Sequence, residues 1–181
     1  MSDNSNTSIP ENYSDMNTLK NNNFPNISLP NQDGNLLNLD RLDTFRMVLY
    51  FYPMTGRPDK PLPDNWNNIP GAKGCTIQTC LFRDNYDEII TLNAVPIGIS
   101  TQSIDDNKEM TNRLKIPYDI LSDEKLELSD ELNIPTFSVE SKIFLKRITL
   151  IVEKKIIKKV FYPINDINKH IEEVLKWLKE N

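Results

Sequence analysis

The chain has 181 residues, a formal net charge of −5, 38% hydrophobic residues and 26% charged ones. That is enough for one domain with a buried core, in the proportions of an ordinary globule. The acidic balance argues against a nucleic-acid surface, which needs clustered cations, and no apolar run is long enough to span a bilayer. Residues 1–23 are rich in Asn, Ser and Thr. They have little apolar surface to offset ordering entropy, so a disordered tail is expected. The stretch Met1–Asn6 lacks the basic and apolar regions of a secretory signal, and it is acidic and free of Arg, unlike a transit peptide. The expected compartment is therefore the cytoplasm, where thiols stay reduced.

The folded domain is expected over residues 24–181. Phe24, Ile27 and Leu29 suggest a short strand, Asn31 to Gly34 a turn, and Leu36, Leu37 and Leu39 the next element. Met47 to Tyr52 is a continuous apolar run stopped by Pro53, the pattern of a strand buried on both faces. Residues 56–73 hold Pro58, Pro61, Pro63 and Pro70 with little periodicity and read as a long loop. From Cys75 the spacing turns helical, with Phe82, Tyr86, Ile89 and Ile90 on one face. Ala94 to Ser100 reads as a second buried strand, and residues 104–114 and 124–132 as helices. Ile148 to Val152 reads as a strand with a hairpin partner at Ile156 to Tyr162. Lys154, Lys155, Lys158 and Lys159 in that hairpin read as a solvated, lysine-protected edge. Asp166 caps a last helix that carries Ile167, Ile171, Val174, Leu175 and Leu178 on one side. This order predicts an α/β fold, a central mixed β-sheet flanked by helices, compatible with a thioredoxin-like architecture.

Chemistry concentrates in Gly74-Cys75-Thr76-Ile77-Gln78-Thr79-Cys80, which holds both cysteines of the chain. In a reducing compartment a close pair points to redox work more than to a structural bridge. Cys75 follows a loop and a glycine and opens a helix, where free backbone N–H groups favour the reactive thiolate. It shares the core-facing side with Phe82, seven residues on. Cys80 lies roughly 140° around the helix and about 7.5 Å along its axis. A disulfide wants Cα atoms within about 7 Å, so a pairing of the two requires the first turns to unwind. Two buried cysteines acting as small hydrophobes are the bland alternative. A metal site is a poor reading, because the single histidine, His170, is far along the chain and reads as a surface residue.

Several pieces in order resemble the peroxiredoxins, specifically the bacterioferritin-comigratory (Q-type) group. They are Tyr50-Phe51-Tyr52-Pro53, Gly74-Cys75-Thr76 with Cys80 and Phe82-Arg83-Asp84, Gly98-Ile99-Ser100, Leu121-Ser122-Asp123 and Arg147-Ile148-Thr149-Leu150. The likeness runs from about residue 24 to 178. It implies a thiol peroxidase with no cofactor. Cys75 would attack a hydroperoxide to give a sulfenic acid, Cys80 would resolve it as an intramolecular disulfide, and a thioredoxin-type reductant would recycle it. Arg147 would supply positive charge beside the sulfur. The protein would act as a monomer or homodimer, with no membrane or nucleic-acid partner.

The sequence departs from the family at the residues just before the nucleophile. The family's proline and Thr/Ser would stand at Asn68 and Ala72; the candidates are Pro53 and Thr55, set apart from Cys75 by the loop. An insertion at about 56–73 accounts for this, with the Thr55 hydroxyl folded back into the site and Thr76 as the alternative donor. Arg57 and Trp66 read as loop-packing residues, with covering the site as their functional alternative. Two other readings stay open. One is a thiol–disulfide oxidoreductase or redox sensor, to which Ile134-Pro135-Thr136 lends a resemblance to a cis-proline segment. The other is a non-catalytic redoxin-fold interaction protein.

Overall fold

The computed structural model describes residues 15–42 and 44–181. In chain order these form β1 (Ser28–Pro30), β2 (Leu36–Asn38), β3 (Arg46–Phe51), α1 (Cys75–Asp84), α2 (Tyr86–Thr91), β4 (Ala94–Ser100) and α3 (Ile104–Leu114). They continue with β5 (Ile120–Ser122), α4 (Glu127–Glu131), β6 (Thr136–Val139), β7 (Lys142–Leu145), β8 (Ile148–Glu153), β9 (Ile156–Phe161) and α5 (Ile167–Glu180). Five strands make a mixed sheet in the order β5-β4-β3-β8-β9. β3, β4 and β5 are parallel, β8 runs antiparallel to β3, and β9 antiparallel to β8.

The apolar run at β3 takes the middle of this sheet, and every one of its residues is buried. One face carries Leu49, Phe51, Ile99 and Leu150 and packs on Met16, Phe24, Leu29, Leu39 and Leu128. The other carries Val48, Tyr50, Tyr52 and Ile151 and packs on Cys75 and Phe82 of α1, Ile89 of α2, Met110 of α3 and Ile171 and Val174 of α5. Tyr50 faces Gly98 across the β3–β4 pair. A Cβ at Gly98 would stand 2.7 Å from the Tyr50 hydroxyl and 2.6 Å from Ile120 Cδ1. Glycine there makes room for the tyrosine.

Several expectations change. Residues 15–23 are not a tail. Asp15 caps a 3₁₀ turn at Met16–Leu19, Met16 is buried, and the chain then pairs with β9 through Asn21 N–H to Ile157 O, Ile157 N–H to Asn22 O and Phe24 N–H to Lys155 O. Backbone pairing, with Met16 in the core, holds this otherwise polar stretch. Residues 1–14 lie outside the described residues. The β9 edge, expected to be guarded by lysines alone, is covered at these rungs. The helix begun at Cys75 breaks at Asn85, whose side-chain amide donates to Leu81 O, and restarts as α2. The helix expected over 124–132 shortens to α4, with Asp123 accepting from Leu128 N–H, Ser129 N–H and the Ser129 hydroxyl. The β6–β7 hairpin was not expected. The cis peptide bond among the described residues is Tyr162–Pro163, not Ile134–Pro135.

Candidate active site

Cys75 is the first residue of α1 and is 2% exposed. Gly74 before it has φ +97°, a left-handed conformation suited to glycine. A Cβ there would also meet Ile167 Cδ1 at 2.4 Å, so the start of α5 rests on the start of α1. The helix thus begins abruptly at Cys75, and the N–H groups of its first turn have no partner within the helix. The Cys75 thiol is placed to donate to Ala72 O, 3.4 Å away.

Arg147, between β7 and β8, reaches the same sulfur with Nη2 at 3.3 Å. It is 5% exposed. The guanidinium also donates to Lys73 O at 3.1 Å, to Gly71 O at 3.3 Å and, through Nη1, to Gln78 Oε1. Among the described residues no carboxylate pairs with it. A buried cation without an acid is costly. Here the guanidinium has backbone carbonyls, the Gln78 amide oxygen and the Cys75 sulfur around it.

The wall behind the sulfur is aromatic and neutral. Tyr50 stacks on Phe82 at 4.4 Å and on Tyr52 at 5.5 Å. Burial first, then neighbouring phenols, push the Tyr50 and Tyr52 hydroxyls well above their ordinary range, so neither carries charge at neutral pH. Tyr50 is held by Tyr118 at 2.9 Å and Thr79 Oγ1 at 3.3 Å. His170, expected on the surface, is 2% exposed beneath Phe82 and Phe161, with Nε2 2.9 Å from Thr149 Oγ1. Burial, and then the positive charge of Arg147, push its pKa down to about 4.

The expected site residues divide. Cys75 and Arg147 come together. Cys80 is half-buried on the same unbroken helix, and both thiols are free. Thr55 stays out of the cluster. It is buried, but its hydroxyl and N–H both engage Gln102 Oε1, at 3.1 and 2.9 Å. The hydroxyl expected at the sulfur is thus engaged by Gln102. Thr76 is part-exposed in the first turn of α1.

Trp66 packs the loop down. Its ring lies 4.8 Å from Phe144, in one cluster with Ala72. Arg57 pairs with Asp59 at 2.6 Å and Asp106 at 3.0 Å. It lines a crevice of about 790 Å³ with Thr55, Gln102 and Phe144; Cys75 is not among the lining residues. Gln78 and His170 are the site residues that sequence reasoning missed. For Gln78 a signal existed, since it stands three residues after Cys75 on the same helical face. For His170 none did. Among the described residues no cluster suits a metal ion, and no helix is long and apolar enough to cross a membrane.

Residues 19–175 match the redoxin family model. The chain is 30% identical over 156 residues to the chloroplastic peroxiredoxin Q of Populus jackii, covering 86% of this chain and 65% of that protein. It therefore spans just under two thirds of that relative's length. It is 30% identical over 161 residues to peroxiredoxin Bcp of Escherichia coli K12, covering 87% of this chain and 93% of that one. Among solved structures, BcpB of Mycobacterium tuberculosis superposes with a TM-score of 0.74 at 22% identity, over 89% of this chain and 96% of that one. Peroxiredoxin Q of Xanthomonas campestris does so with 0.69 at 19% identity, over 86% and 90%. These likenesses establish the fold: a central mixed sheet flanked by helices on the thioredoxin-like plan.

Proposed function

The chain belongs to the redoxin family and, within it, to the peroxiredoxins, and from that premise we propose that it is a thiol peroxidase with Cys75 as nucleophile. The Cys75 thiolate attacks the terminal oxygen of a hydroperoxide, R–O–OH. The O–O bond breaks, sulfur loses two electrons, and the products are Cys75 sulfenic acid and an alkoxide or hydroxide that takes a proton from solvent. The Cys80 thiolate then attacks the Cys75 sulfur, the S–O bond breaks, the oxygen leaves as hydroxide and takes a proton from solvent to become water, and the Cys75–Cys80 disulfide forms. A thioredoxin-type dithiol returns both cysteines to thiols, at the cost of its own oxidation. Such recycling suits a reducing compartment, the cytoplasm by this reading.

The observation that carries the proposal is the Arg147–Cys75 contact at the start of α1: a buried guanidinium with no acid partner, 3.3 Å from a sulfur at a helix N-terminus. It supports an anionic sulfur, and it sets donors where negative charge builds on the peroxide. The test is mass spectrometry after one equivalent of hydrogen peroxide or an alkyl hydroperoxide. A Cys75–Cys80 bond is expected in the wild type, a trapped Cys75 sulfenic acid in Cys80→Ser, and no oxidation in Cys75→Ser. An unoxidised wild-type protein overturns the assignment.

A further inference from the structure

Gln78 is 1% exposed, three residues after Cys75 on the same face of α1. Its amide orientation is determinate. A guanidinium only donates, so the atom on Arg147 Nη1 must be Oε1, and the Nε2 group must point the other way. That NH₂ group is buried with no hydrogen-bond partner. An unmet buried donor costs roughly 1–3 kcal/mol, and one that persists in a native fold calls for a reason, a catalytic role among them. This one is anchored through its own oxygen to the guanidinium that touches the sulfur. Meanwhile the hydroxyl expected at the sulfur, that of Thr55, is spent on Gln102.

We propose that Gln78 is a catalytic residue of peroxide reduction, its free Nε2–H donating to the peroxide oxygen while the O–O bond breaks at Cys75. This inference rests on the peroxidase reading. The electron bookkeeping is unchanged: sulfur gains the terminal oxygen, and the remaining oxygen leaves with the electron pair of the O–O bond. Gln78 lends a hydrogen bond to the developing negative charge, and the proton that completes the alcohol or water comes from solvent. Arg147 and Gln78 then both donate to the peroxide, held together by their own contact.

Two variants separate donation from mere support of Arg147. Gln78→Glu keeps an acceptor for Arg147 and removes the donor; Gln78→Met keeps the volume and removes both. Stopped-flow measurement of Cys75 sulfenic acid formation gives the peroxide rate constant. Alkylation of Cys75 by iodoacetamide at the same pH reports the thiolate without any peroxide. The ratio of the two rates is expected to fall roughly 10²-fold in both variants, the usual loss of one such donor. A Gln78→Glu protein that keeps the wild-type ratio while Gln78→Met loses it shows a supporting role and overturns the proposal. So do unchanged ratios in both. A wild-type protein that alkylates normally but ignores peroxide overturns the peroxidase reading itself, and this assignment with it.

Discussion

The Tyr118 hydroxyl donates to the carbonyl oxygen of Thr79, 2.8 Å away, and so ties the middle of α1 to the segment before β5. Tyr118 also meets the Tyr50 hydroxyl, which reaches back to Thr79 Oγ1. The residue after Thr79 is Cys80. Any motion that brings Cys80 to Cys75 must release this tie, because an intact helix keeps the two roughly 140° apart. Tyr118→Phe removes the hydrogen bond to Tyr50 and the one to Thr79; the latter, the tie to α1, is worth about 1 kcal/mol, or roughly fivefold in an opening equilibrium. Disulfide closure after a peroxide pulse is expected to speed up by about that factor, with the first oxidation unchanged. Hydrogen exchange should also show residues 76–83 losing protection in the oxidised protein. Equal closure rates in variant and wild type would mean that α1 need not leave Tyr118.

Arg147 carries the positive charge of the site. Replacing it with Met keeps a long side chain but removes the donors to Cys75, Gly71, Lys73 and Gln78. The peroxide rate constant is expected to fall 10²- to 10³-fold, and iodoacetamide alkylation at neutral pH to slow as well. Loss of the first without the second would confine Arg147 to binding peroxide.

Thr55 is held by Gln102, not by the cysteine. In Thr55→Val the Gln102 Oε1 loses its hydroxyl donor but keeps the Thr55 backbone N–H. The expected outcome is a stability loss of about 1 kcal/mol in a denaturant titration, with peroxide reactivity within a factor of about three. A hundredfold loss of reactivity would place the hydroxyl at the sulfur during turnover.

His170 makes stability depend on pH. Its folded pKa of about 4 lies below the ordinary 6.5. Between those values the unfolded chain binds a proton that the native state refuses, so stability falls as pH drops from 6.5 to 4. The full effect is on the order of 3 kcal/mol. His170→Gln removes this component. Urea midpoints of variant and wild type, compared at pH 7 and pH 4.5, should therefore draw together or cross at the lower pH. A constant difference would contradict a neutral, buried His170.

Much of this was legible beforehand where a local pattern sufficed. The unbroken apolar runs at β3 and β4, the Asp166 cap on α5 and the cysteine at a helix start each need only neighbours in sequence. Asp166 does accept from Asn168 and Lys169 N–H as that pattern requires. The β6–β7 hairpin gave only a short signal; β6 alternates over just four residues, and the first two residues of β7 are exposed. Residues 15–24 bond through backbone, which composition does not reveal. Arg147 was visible through family likeness, but its partner Gln78 stands 69 positions away. His170 was misplaced because a polar residue's burial depends on the partner that meets it, here Thr149 on another element.

The segment paired along β9 shapes how copies of this protein meet. A sheet with open outer strands invites a second molecule to extend it, rung by rung. Here the rungs at Lys155, Ile156 and Ile157 are already taken by the chain's own Asn21 to Phe24, and on the opposite border Asn31 bridges to Leu121. Growth of one continuous sheet across two molecules is blocked at those positions. A strand added at the Lys155–Ile157 rungs would first have to displace residues 21–24.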